Sequence, residues 1–147
     1  MTEEHVYTGR CHCGNATIAF RTSAAPHELR PRACDCSFCD KHGAAYISDP
    51  RGSLTIGSED PLVEYRQGSG SARFLLCARC GVLLAALYDD GERTYGAVNA
   101  GCVEGAAFGE KQTVSPRKLS AQEKRDRWKQ VWIADVSWAR ALRDAAP

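Results

Sequence analysis

The chain has 147 residues, of which 44% are hydrophobic and 25% charged, with a formal net charge of +1. That length suits one folded unit with a real core, and the balance excludes a disordered or fibrous chain. The longest apolar run, Val82 to Leu87, is far short of the ~18 residues of a membrane-spanning helix.

The opening Met1-Thr2-Glu3-Glu4-His5 is acidic where a secretory signal is basic and then apolar. A cytoplasmic protein is therefore expected, and in that reducing compartment its eight cysteines serve metals or catalysis rather than disulfides. Val6 to Arg10 reads as a short strand running into Cys11-His12-Cys13-Gly14. Side chains of an extended chain alternate with period two, so the two sulfurs share a face and His12 points the other way. Gly14 lets the backbone turn so that N–H groups face the thiolates.

The alternation of Ala16, Ile18 and Phe20 with polar residues predicts a strand over 15–21. After the break at Ser23-Ala24-Ala25-Pro26, residues 27–32 read as another strand, short or at an edge because of its prolines, which delivers the chain to Cys34-Asp35-Cys36-Ser37-Phe38-Cys39. Ser37 reads as the cap of one helical turn over 38–42, ended by Gly43. Strands are then expected at 44–48, 53–56, 62–66, 72–76, 82–87 and 94–98, separated by turns such as Asp49-Pro50-Arg51-Gly52 and Asp89-Asp90-Gly91. Regular short strands with such turns predict a mainly β, antiparallel architecture.

Ser120-Ala121-Gln122-Glu123 matches a capping box. The helix it opens places Trp128, Val131 and Trp132 on one side, for packing onto the sheet, with Lys124, Arg125 and Lys129 mostly elsewhere. Ser137-Trp138 reads as the start of a last short helix to Asp144. Eight of the 19 Lys/Arg but only four of the 18 Asp/Glu fall in residues 117–147. This basic tail reads as a solvated helix face, open to use as a homodimer contact, rather than as a nucleic-acid surface.

Seven cysteines fall into three tight clusters, and zinc accounts for that spacing. Cys11, Cys13, Cys77 and Cys80 supply four thiolates, enough for a closed structural site that staples the first strand to the middle of the chain. Cys34, Cys36 and Cys39 supply three. Either His42 or Cys102 completes that set, or the vacancy is functional; Cys102 otherwise reads as a small buried residue near Val98 and Val103. A zinc held by three thiolates is a poor generator of hydroxide but suits a soft ligand, so a substrate thiol can enter as the fourth sulfur and be held as thiolate. Carbon–sulfur bond formation or cleavage is the chemistry these residues suggest. The alternative, from a different class, is a non-catalytic zinc module that binds protein or nucleic acid.

Three stretches, Gly9-Arg10-Cys11-His12-Cys13-Gly14, Cys34-Asp35-Cys36-Ser37-Phe38-Cys39 with Gly43-Ala44, and Arg73-Phe74 through Cys77-Ala78-Arg79-Cys80-Gly81, resemble the glutathione-dependent formaldehyde-activating enzyme family, which also includes the centromere protein V type proteins. The resemblance runs from Tyr7 to Gly105; the basic helical tail lies outside it, and the whole chain reads as a single zinc-binding domain. It implies a β-tent fold with zinc knuckles and two Zn2+ per chain, structural at Cys11, Cys13, Cys77 and Cys80 and catalytic at Cys34, Cys36 and Cys39. It also implies small thiol and aldehyde substrates, with formaldehyde and glutathione condensing to S-(hydroxymethyl)glutathione, a reaction classed with carbon–sulfur lyases.

Overall fold

In the computed structural model, which describes residues 3–139, the alternation at the start of the chain becomes a hairpin. β1 (His5–Arg10) and β2 (Ala16–Thr22) pair antiparallel with Tyr7 opposite Phe20. Ala16, Ile18, Phe20 and Thr22 are buried together because residues two apart share a face.

The expected strand over 27–32 does not form. Pro26–Glu28 is a turn of 3-10 helix, and extended backbone begins only at β3 (Arg32–Cys34). Proline suits the first position of such a turn, and Pro31 has no N–H to give a sheet. Next comes α1 (Ser37–His42), the anticipated single helical turn, but its cap is Cys36 rather than Ser37: the Cys36 sulfur accepts from the Cys39 N–H at 3.4 Å. Gly43 ends it in the left-handed region, at φ 63°, where a side chain would be strained.

β4 (Ala45–Ile47), β5 (Ser53–Ser58), β6 (Val63–Tyr65), β7 (Arg73–Leu76), β8 (Leu83–Asp89) and β9 (Thr94–Asn99) fall where turn signals and alternation predict. β10 (Gln112–Val114) is too short to show alternation and is not legible in the sequence. α2 (Ala121–Val131) opens with the full capping box of Ser120 and Glu123. After it the chain is extended again: Ser137 and Trp138 lie in β11 (Val136–Ala139), paired with β5, and not in a helix. The open edge of β5 offers partners to the backbone groups that face it, which outweighs a lone serine cap. The rest of that expected helix, 140–144, lies outside the described residues.

Two sheets result, one ordered β1-β2-β5-β11 and the other β10-β3-β4-β9-β8-β7-β6. The pairing is antiparallel except at β10–β3 and β11–β5, both made by late segments of the chain. Leu83 to Tyr88 of β8 are all buried, as a strand covered on both faces requires. On one side Leu84 and Leu87 join Ile18, Phe20, Leu54 and Ile56 in the core between the sheets. On the other, Leu83, Ala86 and Tyr88 pack with Phe74, Trp128 and Trp132. The larger sheet is thus a middle layer, with the smaller sheet on one face and α1 and α2 on the other. Trp128 and Trp132, one helical turn apart, stack at 4.9 Å between ring centroids. No helix among the described residues is long and apolar enough to cross a membrane.

Candidate metal centres

The two faces of the middle sheet separate the cysteines. Cys11 and Cys77 belong to the core between the sheets, whereas Cys34, Cys36 and Cys39 pack on the helical side. None of the eight cysteines forms a disulfide.

The first group forms where β1 and β7 end. The chain turns after Cys11 with the Gly14 N–H on the Cys11 carbonyl, and after Cys77 with the Gly81 N–H on the Cys77 carbonyl. Both glycines sit at positive φ, 84° and 80°, which is what allows each knuckle to fold back so tightly. The sulfurs of Cys11, Cys13, Cys77 and Cys80 lie within 4.8 Å of one another. Cys13 stands 3.7 Å from Cys11 and 3.6 Å from Cys77. Four sulfurs each about 2.3 Å from one ion would stand about 3.8 Å apart, so the set fits a tetrahedral thiolate site such as zinc prefers.

Donors around the group suit thiolates. The Ala16 N–H points at Cys11 (3.3 Å), the Arg79 N–H at Cys77 (3.4 Å) and the Asn15 amide at Cys77 (3.6 Å). Asn15 is buried, and its oxygen accepts from the Asp60 N–H at 2.8 Å, which fixes the amide's direction. Burial works to raise Cys77, but bonds from the Cys80 and Arg79 backbone and from Asn15 outweigh it and bring the thiol down to about 6. Sequence reasoning missed Asn15, although it directly follows the first knuckle. His12 is exposed and stands outside the group, but residues 12 and 13 lie in a turn and not on the extended chain that the alternation requires.

The second group is built on the turn from β3 into α1. Cys34 ends the strand, Cys36 caps the helix and Cys39 faces the sheet from its first turn. Their sulfurs also lie within 4.8 Å of one another, and no fourth His, Cys, Asp or Glu among the described residues joins them. His42 is exposed and rests on the Phe38 ring, 4.7 Å between centroids. Cys102 is buried elsewhere, its thiol donating to the Leu83 carbonyl at 3.3 Å. Burial, then the charges of Cys11 and Cys80, push that thiol up to about 11, which puts it on the side of the first group. A bond from the Cys39 thiol holds Cys34 down at about 6, and the same sharing, with burial, pushes Cys39 well up. Tyr46 of β4 approaches Cys39 at 3.2 Å, and the Gln67 amide reaches Cys36 at 3.8 Å.

A cavity of about 120 Å³ opens beside these three sulfurs. Phe74, Trp128 and Trp132 supply its apolar wall, and Arg32, Arg117, Lys124 and Arg127 its charge. The expected separation of Lys124 from the tryptophan side of α2 does not hold, because Lys124 is one helical turn from Trp128 and lines the same cavity. The spacing of Lys124, Arg127 and Trp128 is the one signal in the sequence that could have found this wall.

A crystal structure of a Rhodobacter sphaeroides protein is similar to this chain at 24% identity, covering 90% of this chain and 99% of that one with a TM-score of 0.48. No curated protein matches. The family model described as glutathione-dependent formaldehyde-activating enzyme matches residues 6–122, which takes in both cysteine groups and continues past Gly105 into the start of α2. The chain therefore belongs to the glutathione-dependent formaldehyde-activating enzyme family.

Proposed function

We propose that the protein is a zinc-dependent enzyme of the carbon–sulfur lyase type, which adds a glutathione-like thiol to a small aldehyde such as formaldehyde or reverses that addition. One observation carries this reading: three thiols converge without a fourth protein ligand among the described residues, and they do so on the wall of a cavity. The four-thiol group, with Cys11 and Cys77 buried and N–H donors aimed at its sulfurs, is assigned the structural metal. The three-thiol group is assigned the reactive one.

Zinc bound by Cys34, Cys36 and Cys39 would supply one kind of chemistry, holding an incoming substrate thiol in its thiolate form at neutral pH. The residues around it do the rest. Cys36 and Cys39 are positioned by one short helix, and the Tyr46 hydroxyl and Gln67 amide orient the sulfurs. The rings of Phe74, Trp128 and Trp132 shield the reacting sulfur from water. The substrate sulfur attacks the aldehyde carbon, a C–S bond forms, and the carbonyl π pair moves to oxygen. That oxygen takes a proton from solvent, equivalent to the one the thiol lost on binding. The product is a hydroxymethyl thioether of the formaldehyde type, and the reverse path breaks the same bond. A reducing cytosol, where such thiols are abundant, suits both the free cysteines and this reaction.

The test is zinc content per chain together with formaldehyde consumption in the presence of glutathione. Two zinc ions and thiol-dependent turnover above the uncatalysed rate are expected. Two tightly held zinc ions with no such turnover, for glutathione or any other small thiol, would remove the enzyme reading and favour a non-catalytic zinc module.

A further inference from the structure

The cavity carries more positive charge than its walls neutralise. Four cationic side chains line it and, among the described residues, no carboxylate does; the three thiolates with one Zn2+ would offset a single charge. Arg117 pairs with Asp35 at 3.2 Å. That leaves Arg32, Lys124 and Arg127 without a carboxylate partner among the described residues.

Arg32 is held in place. Its Nη2 donates to the Ser48 hydroxyl at 2.6 Å, and that hydroxyl donates to the Val131 carbonyl at the end of α2, also at 2.6 Å. The bond ties the guanidinium of β3 to the helix that carries Arg127, and Arg127 stands close enough for its charge to act on Arg32. Two like charges brought together from separate elements repel unless an anion lies between them, most strongly beside apolar walls that exclude water. A guanidinium fork matches the two oxygens of a carboxylate.

We propose that Arg32 and Arg127, assisted by Lys124, form a carboxylate subsite of the cavity, so that a substrate bound with its reacting atom at the three-cysteine group also carries a carboxylate. The subsite rests on the reading of that group as the reaction centre. The carboxylate belongs either to the thiol or to the aldehyde, and the two sources are separable by experiment.

Trp128 and Trp132 line the cavity, so indole fluorescence of the zinc-loaded protein reports its occupancy. Titration with propionate, which has neither thiol nor aldehyde, gives a saturable change that weakens about tenfold in Arg127→Gln and recovers in Arg127→Lys, the loss expected for one charge-assisted hydrogen-bonded pair. Lys124→Gln, whose ammonium is a single point charge rather than a two-pronged donor, weakens it less and serves should Arg127→Gln melt early. In the kinetic arm, 3-mercaptopropionate is compared with 3-mercaptopropanol, and glyoxylate with glycolaldehyde. The pair whose kcat/KM ratio falls about tenfold in Arg127→Gln identifies the carboxylate-bearing substrate. Propionate that gives no saturable change, or one indifferent to Arg127 and Lys124, overturns the subsite. Arg127-dependent propionate binding without any thiol turnover supports the subsite and overturns the thiol–aldehyde reading instead.

Discussion

The hydroxyl of Tyr46 and the sulfur of Cys39 lie 3.2 Å apart, both residues being buried. Burial, then the charge of Cys39, raises the tyrosine well above its ordinary range, so it remains a proton donor at neutral pH. The contact fixes one thiol of the open group against the middle sheet. Tyr46→Phe keeps the ring's packing and removes only the donor. The expected result is a folded protein that holds metal at the three-cysteine group about tenfold more weakly, the usual scale for losing an outer hydrogen bond to a ligand. Competition with a chromophoric chelator measures it, and unchanged affinity would mean that α1 alone positions Cys39.

The two cysteine groups should fail differently. Cys77 sits in the core between the sheets and is assigned to the metal that joins the ends of β1 and β7, so Cys77→Ser is expected to destabilise the whole fold. Cys36→Ser acts on the outer face and is expected to leave a folded chain with one tightly bound zinc and no turnover. Thermal melting with metal analysis of both variants decides the matter; equal loss of stability in the two would refute this division.

Gly9 is expected to tolerate no side chain. A Cβ there would stand 2.0 Å from the Cys102 carbonyl oxygen and 2.9 Å from Val103 Cα, both backbone atoms that side-chain rotation cannot move. Gly9 also bridges to Val103 in an antiparallel contact that closes the end of β1. Gly9→Ala should therefore cost about 3 kcal/mol, the upper range for overpacking a core, in urea unfolding. A loss within about 0.5 kcal/mol, as for an ordinary surface change, would show that the segment around Cys102 moves aside freely.

Acid should act through the turn between β8 and β9. Asp90 accepts from the backbone N–H groups of Arg93 and Glu92 and pairs with Lys129 of α2 at 3.6 Å, and these hold its carboxyl below the ordinary value. A carboxyl depressed in the folded state stabilises it fully above the unfolded value of about 3.9 and loses that contribution as pH falls through the folded value. The stability difference between the wild type and Asp90→Asn should accordingly be present at pH 6 and shrink towards pH 2. A difference that stays constant across that range would assign the effect to packing rather than charge.

Local chemistry makes much of the fold legible in the sequence. Glycine-ended knuckles, period-two alternation in β2 and the Ser120–Glu123 box each act over a few residues, and each forms where its residues predict. Two of the misreadings turn on where the chain is placed by its neighbours. At Val136–Ala139 a cap-like serine yields to the free edge of β5, which comes from residues some eighty positions earlier. At α1 the thiol of Cys36 takes the capping role that its neighbour's hydroxyl suggests, because the chain leaving β3 already places it at the helix entry.

By itself the sequence determined which thiols cluster locally, since sulfurs two to three residues apart, the spacing of a metal knuckle, are written in the chain. Only the tertiary structure decided that one group forms where β1 and β7 end, with Cys11 and Cys77 buried in the core, and the other beneath α2, where Arg32, Tyr46 and Arg127 meet around a cavity. Those three residues are far apart in the chain. Their meeting depends on stacked tryptophans docking a helix on the outer face of the middle sheet, a packing event that no local spacing encodes.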